Sequence, residues 1–82
     1  MTVFVTVKNL LIQTLQLGPR GESLTDASPL LGAIPELDSM AVVGIITALE
    51  EHFGFMVDDD EISADTFATL GSLVAFVERK LA

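Results

Sequence analysis

The sequence predicts an all-α fold: a four-helix bundle with three long helices, one short helix and a long loop between helices 1 and 2. Three observations carry that expectation. Apolar residues recur at helical spacing in three separate stretches. Turns rich in Gly and Pro, or in acids, join those stretches. The run Val3-Phe4-Val5-Thr6-Val7 has strand propensity, but no second strand is available to pair with it.

The first helix begins within that run. Val3, Val7, Leu10, Leu11 and Thr14 fall at i, i+4, i+7, i+8 and i+11, and the period continues to Leu15. Gly18-Pro19 is expected to end it, because glycine suits the position past a helix and proline cannot continue one. Residues 18–37 contain Gly18, Pro19, Gly21, Pro29, Gly32 and Pro35 and lack clear periodicity. Loops this long are uncommon in compact domains and are usually functional or disordered. Leu24, Leu30, Leu31 and Ile34 are expected to pin this one to the core.

The second helix is expected from Ser39 to Phe53, with Gly54 as its stop. Met40, Val43, Ile46 (or Thr47) and Phe53 mark one stripe, with Ile45 and Leu49 beside it. A helix apolar on so much of its circumference packs on two neighbours or offers an apolar patch to a partner. Gly44 inside it costs about 1 kcal/mol relative to alanine, which points to a packing reason. Asp58-Asp59-Asp60-Glu61 reads as a solvated turn whose charge suits the start of the next helix. It lacks the alternating ligands, central glycine and distant glutamate of an EF-hand. Ile62 to Phe67 reads as the short third helix. Thr69 is the expected N-cap of the last, which carries Leu70, Leu73, Val74, Val77 and Leu81 on one face and Arg79 and Lys80 at its C-terminal end.

Length bounds the 82 residues to one domain, near the size at which a single small core is marginal. Half the residues are hydrophobic, so a core can form. The net charge of −8, from 12 acids against 4 bases, argues against nucleic acid and favours basic protein surfaces as partners. With no Cys there is no disulfide and no thiolate metal site, and any thiol chemistry must come from an added group. The stretch from Met1 to Leu17 lacks the basic leader and cleavage site of a signal peptide, and no apolar run is long enough to span a membrane. A cytoplasmic, monomeric chain without a metal is expected.

The most informative feature is Glu36-Leu37-Asp38-Ser39-Met40, where the long loop becomes a helix. A serine there is exposed beside the partly positive end of the helix dipole. It could simply be an N-cap, as serine often is, and Asp38 a second capping residue or a loop acid. No base is placed to make Ser39 a nucleophile of the chain's own. His52, the single histidine, has no Cys, Ser or second His partner in sequence and reads as a helix-end surface residue. A serine that is presented but not activated suits modification by another enzyme.

Taken with Ala48-Leu49-Glu50-Glu51-His52-Phe53-Gly54, the acidity and the helix order along the whole chain, this pattern resembles the acyl carrier protein family. The resemblance implies an acyl-carrier-like bundle over residues 1–82. It implies a 4′-phosphopantetheine arm, donated by coenzyme A and attached to Ser39 by a phosphopantetheinyl transferase, with Asp38 presenting the serine to the transferase and its metal. Acyl groups would ride the arm as thioesters to acyl-loading and acyl-transfer enzymes of a fatty-acid, polyketide or specialised pathway. The chain itself would then not be an enzyme. Glu36, Met40, Ala41, Val42, Glu50 and Glu51 are the expected partner-docking residues.

The sequence departs from the fatty-acid carriers in one place. Those carriers bear several acids in the first turns after the serine, whereas here the turns read Met40-Ala41-Val42-Val43-Gly44-Ile45. That points to a dedicated partner with a less polar docking surface, and the chain looks more like stand-alone carriers that accompany exosortase and exopolysaccharide systems. Two other readings share the motif: an aminoacyl (D-alanyl or peptidyl) carrier, and a small helical interaction module whose serine is never modified.

Overall fold

The computed structural model describes residues 2–82. Three α-helices carry the fold: α1 (Val3–Leu15), α2 (Ser39–Phe53) and α3 (Leu70–Leu81). The run Val3 to Val7 is helical, and Thr2 caps it by accepting from the backbone N–H of Val5. The short helix is a single 3₁₀ turn, Ala64–Phe67, preceded by another at Asp59–Glu61. It is therefore shorter than the Ile62 to Phe67 expected from sequence. The turn is fixed by reciprocal bonds, with Ser63 accepting from the N–H of Thr66 and the Thr66 hydroxyl accepting from that of Ser63.

α1 is central and packs against both α2 and α3. Its buried residues, Val7, Leu11 and Leu15, lie on one face as the spacing required. They meet Ile45 and Leu49 of α2, Phe67 of the short turn, and Leu70, Leu73, Val74, Phe76 and Val77 of α3 in one core. Two assignments on these faces change. Leu81 is exposed, and Phe76, between the expected positions, is buried instead. The stripe on α2 also turns: Met40 and Val43 face solvent, and the buried face is Ile45 and Leu49, flanked by partly buried Ala41, Val42, Ile46 and Phe53. An almost uniformly apolar helix leaves its facing to the neighbour, here α1.

The end of α1 is closed by Gln16, in the left-handed region at φ 55°, two residues before the expected Gly18. A 3₁₀ turn from Gly18 to Ser23 follows. The connection to α2 is pinned to the core by Leu17, Leu30 and Leu37, with Leu24 and Ile34 half-buried; Leu31 is exposed. Backbone bonds fix it as well. The N–H groups of Leu30 and Leu31 donate to the carbonyls of Ala68 and Phe67, and those of Leu70 and Gly71 donate back to Ser28 and Asp26. The loop therefore ends four otherwise unpaired backbone donors. Gly71 allows this, since a Cβ there would lie 2.8 Å from the carbonyl oxygen of Asp26.

Candidate functional site

The start of α2 is built by a division of labour between two neighbouring residues. Asp38 has extended backbone and its Oδ1 accepts from the N–H of Ala41 at 2.8 Å, which makes it the N-cap. Ser39 is therefore the first helical residue and has no capping duty. It is exposed, and its hydroxyl bonds to no other described residue. It also sits beside the backbone N–H groups of the first turn, which a helix leaves without partners of its own. A phosphodiester on Ser39 would meet that partly positive end, and no buried group would have to be displaced. On those two counts the residues present fit a covalent phosphopantetheine.

Around the serine, charge is tied up internally. Glu36, half-buried, accepts a hydrogen bond from Arg20 of the Gly18–Ser23 turn. That bond, with a backbone N–H and the guanidinium charge, holds the Glu36 carboxyl below the usual carboxylate range. Glu50 is committed further along: its Oε2 accepts from the N–H of Val57 at 2.7 Å. That geometry follows from Gly54, whose φ of 77° turns the chain back along the last turn of α2. Glu51 is exposed. Ala41 and Val42 are half-buried and packed on the core, so the surface after the serine is Met40 and Val43, 78% and 59% exposed, with Thr47.

The expected docking residues therefore separate. Met40 and Glu51 are open to a partner, Ala41 and Val42 belong largely to the core, and Glu36 and Glu50 already hold internal bonds. Val43 is not among the expected docking residues, yet it is exposed, as the apolar patch that α2 offers in one of the two expectations for that helix. Its exposure could have been inferred from its place at i+4 from Ser39, on the same face as the serine.

No three described His, Cys, Asp or Glu side chains converge as a metal site. The Asp59 side chain lies outside what is described, but its neighbour Glu61 has a structural role. It accepts from the N–H of Asp58 and pairs with Lys80 of α3 at 2.9 Å. These contacts, the Asp58 bond first, hold the Glu61 carboxyl below its usual value. Ser39 lines none of three surface depressions, one of which is lined by Glu61, Phe76, Arg79 and Lys80. Another is lined by Glu61, Ser63, Asp65, Thr66, Ser72, Ala75 and Arg79, and the third by Thr6, Asn9, Leu10, Gln13 and His52. None of the described helices is long and apolar enough to cross a membrane.

Known proteins are similar to this chain over nearly its whole length. Residues 6–77 match the family model described as a phosphopantetheine attachment site. An acyl carrier protein of Wolinella succinogenes is 33% identical over 81 residues, covering 95% of this chain and 96% of that one. One from a Sulfurovum species is 35% identical over 80 residues, covering 95% and 97%. The solution NMR structure of a holo acyl carrier protein from Nitrosomonas europaea is 64% identical and superposes with a TM-score of 0.90, covering 99% of this chain and 98% of that one.

Proposed function

The chain belongs to the acyl carrier protein family, and we propose that it carries acyl groups as thioesters on a 4′-phosphopantetheine arm attached to Ser39. Proteins of this family are carriers and not catalysts, and phosphopantetheine is their covalent cofactor. The observation that supports Ser39 as the residue is the free hydroxyl beside a cap supplied by Asp38.

The chain's own contribution is presentation. Ser39 Oγ forms the bond to phosphorus, its proton leaves to a base of the transferase, and the nucleotide half of coenzyme A departs. Asp38 holds the first turn so that Ser39 stands clear of the surface. Its second carboxylate oxygen remains available to a metal held by the transferase. When bound, the arm supplies the thiol that this Cys-free chain lacks. Tethering then raises the effective concentration of the acyl group at whichever enzyme has docked.

The partners are proposed to be a phosphopantetheinyl transferase and the acyl-loading and acyl-transfer enzymes of a specialised pathway. The uncharged start of α2 supports the last point. The test is intact mass after incubation with coenzyme A and a broad-specificity transferase. Addition of the arm to the wild type and its loss in Ser39→Ala are expected. A Ser39→Ala chain that still gains the whole arm overturns Ser39 as the site. Loading of the holo chain by a fatty acyl-AMP ligase, and not by an amino-acid adenylating enzyme, is the expected result for an acyl carrier.

A further inference from the structure

We propose that Arg20 and Glu36 form a positioning pair for the reaction at Ser39, a clamp that fastens the approach to α2 onto the turn after α1 and so fixes where the serine hydroxyl stands. The proposal rests on Ser39 being the modified residue. Residues 32–38 bring the chain to the serine, and their bonds are local. The N–H groups of Ala33 and Ile34 donate to the carbonyl of Leu30, that of Leu37 to Ile34, and that of Asp38 to Glu36. Asp38 in turn caps the first turn of α2. Among the described residues, every hydrogen bond of this stretch spans four positions or fewer except the one from Arg20 to Glu36, which spans sixteen.

Arg20 stands on a fixed base. Pro19 precedes it in the Gly18–Ser23 turn, its carbonyl accepts from Ser23 Oγ at 3.0 Å, and Lys8 Nζ of α1 donates to the carbonyl of Glu22 at 2.9 Å. Gly21 is buried against Ile12 of α1, where a Cβ would not fit. At the other end, the two residues before Asp38 divide the work. Leu37 is buried in the core, which fastens the stretch without orienting it, since hydrophobic burial has no direction. Glu36 supplies the direction, because a charge-assisted hydrogen bond holds both distance and angle. Its other oxygen, Oε1, is buried and has no hydrogen-bond partner among the described residues. Without Arg20 nothing would hold that carboxylate in place, and hydration would draw it outward. The polar path from α1 to the serine therefore runs from the turn through Arg20 and Glu36 to the Asp38 cap.

The experiment measures kcat/KM for arm transfer from coenzyme A by a broad-specificity transferase, together with amide hydrogen exchange of the same chains. The substrates are the wild-type chain, Arg20→Met, Glu36→Ala, the double variant and Glu36→Gln. The Arg20 side chain is 59% exposed, so its replacement opens no core. Arg20→Met and Glu36→Ala are each expected to lower kcat/KM about two- to fivefold, the range over which an exposed ion pair holds its ends. The double variant should lose no more than either single, because both break one contact. Glu36→Gln still offers Arg20 an oxygen and should recover most of the rate. The amides of residues 37–41 should exchange faster in Arg20→Met, with those of α3 unchanged, which also establishes that the variant folds. If Glu36 met the transferase directly, removing Arg20 would free its charge and raise kcat/KM. That result would overturn the proposal, as would an unchanged kcat/KM, losses that add in the double variant, or no recovery in Glu36→Gln. Unchanged exchange at residues 37–41, or faster exchange throughout α3, would overturn it as well, and all these outcomes leave Ser39 in place. Failure of the transferase to modify the wild type would overturn the Ser39 reading and this proposal with it.

Discussion

The first turns of α2 and α3 each contain a serine, and the two have opposite fates. In α3, Ser72 is wholly engaged. Its Oγ accepts from the N–H of Thr69 and lies within donating distance of the carbonyls of Thr66 and Thr69, while Thr69 Oγ1 accepts from the N–H of Ser72. In α2, Asp38 alone does the capping, and Ser39 is left with a free hydroxyl in solvent. A helix-start serine is structural when the cap is reciprocal and chemically available when its neighbour caps for it. The rest of each helix follows the same contrast. α3 buries five residues and ends in an ion pair to Glu61, whereas the start of α2 turns Met40 and Val43 outward.

Breaking the reciprocal cap should have the largest effect on stability. Thr69→Ala is expected to cost about 0.5–2 kcal/mol in urea unfolding, as loss of an N-cap does. Ser72→Ala should fall in the same range because it leaves the N–H of Thr69 without its partner. Ser39→Ala should be nearly silent in the same assay, since it removes no bond. Equal losses at Ser39 and Ser72 would erase the contrast.

Asp38→Ala sharpens the comparison on the α2 side. It is expected to cost about 1 kcal/mol through the lost bond to Ala41. It should also slow arm transfer, whereas Asp38→Asn should restore the cap and, by weakening contact with the transferase's metal, leave transfer slow. Recovery of both stability and rate in Asn would reduce Asp38 to a cap.

Gly44→Ala probes whether α2 was left weak for a packing reason. A Cβ there would lie 3.6 Å from the Thr14 side chain, an ordinary contact. Helix propensity should then prevail, and the variant is expected to gain up to about 1 kcal/mol in thermal or urea unfolding. A loss would mean that α1 and α2 cannot tolerate the methyl group.

The smallest effect concerns pH. The carboxyls of Glu36 and Glu61 are lowered from 4.5 in the folded chain, so each contributes stability above that value and loses it as pH falls through the lowered one. Unfolding measured from neutral to acid pH should therefore show a decline below about 4.5 that is shallower in Glu61→Gln. The same slope in both chains would remove Glu61 from the account.

Much of this contrast was legible in the residues. Thr69 and Gly54 announced helix ends, and both ends are found there. Ser39 announced a helix start, although the choice between cap and site needed the Asp38 geometry. What could not be read has a physical cause in each case. α2 is apolar nearly all round, so periodicity could not say that Val43 faces water and Leu49 the core. Gln16 holds the left-handed position two residues before Gly18, and no glycine or asparagine marks it in the sequence. The bond from Val57 to Glu50 depends on the reversal at Gly54, and the bonds between the loop and α3 join residues some forty positions apart. Long-range backbone pairing of this kind leaves no local signal.

The most direct test of the central claim is fragment mass mapping of the wild-type chain after exhaustive arm transfer. One arm per chain is expected, on Ser39, and none on Ser72, Ser63 or any other hydroxyl. An arm on any residue but Ser39, or modification of Ser72 at a comparable level, would contradict it.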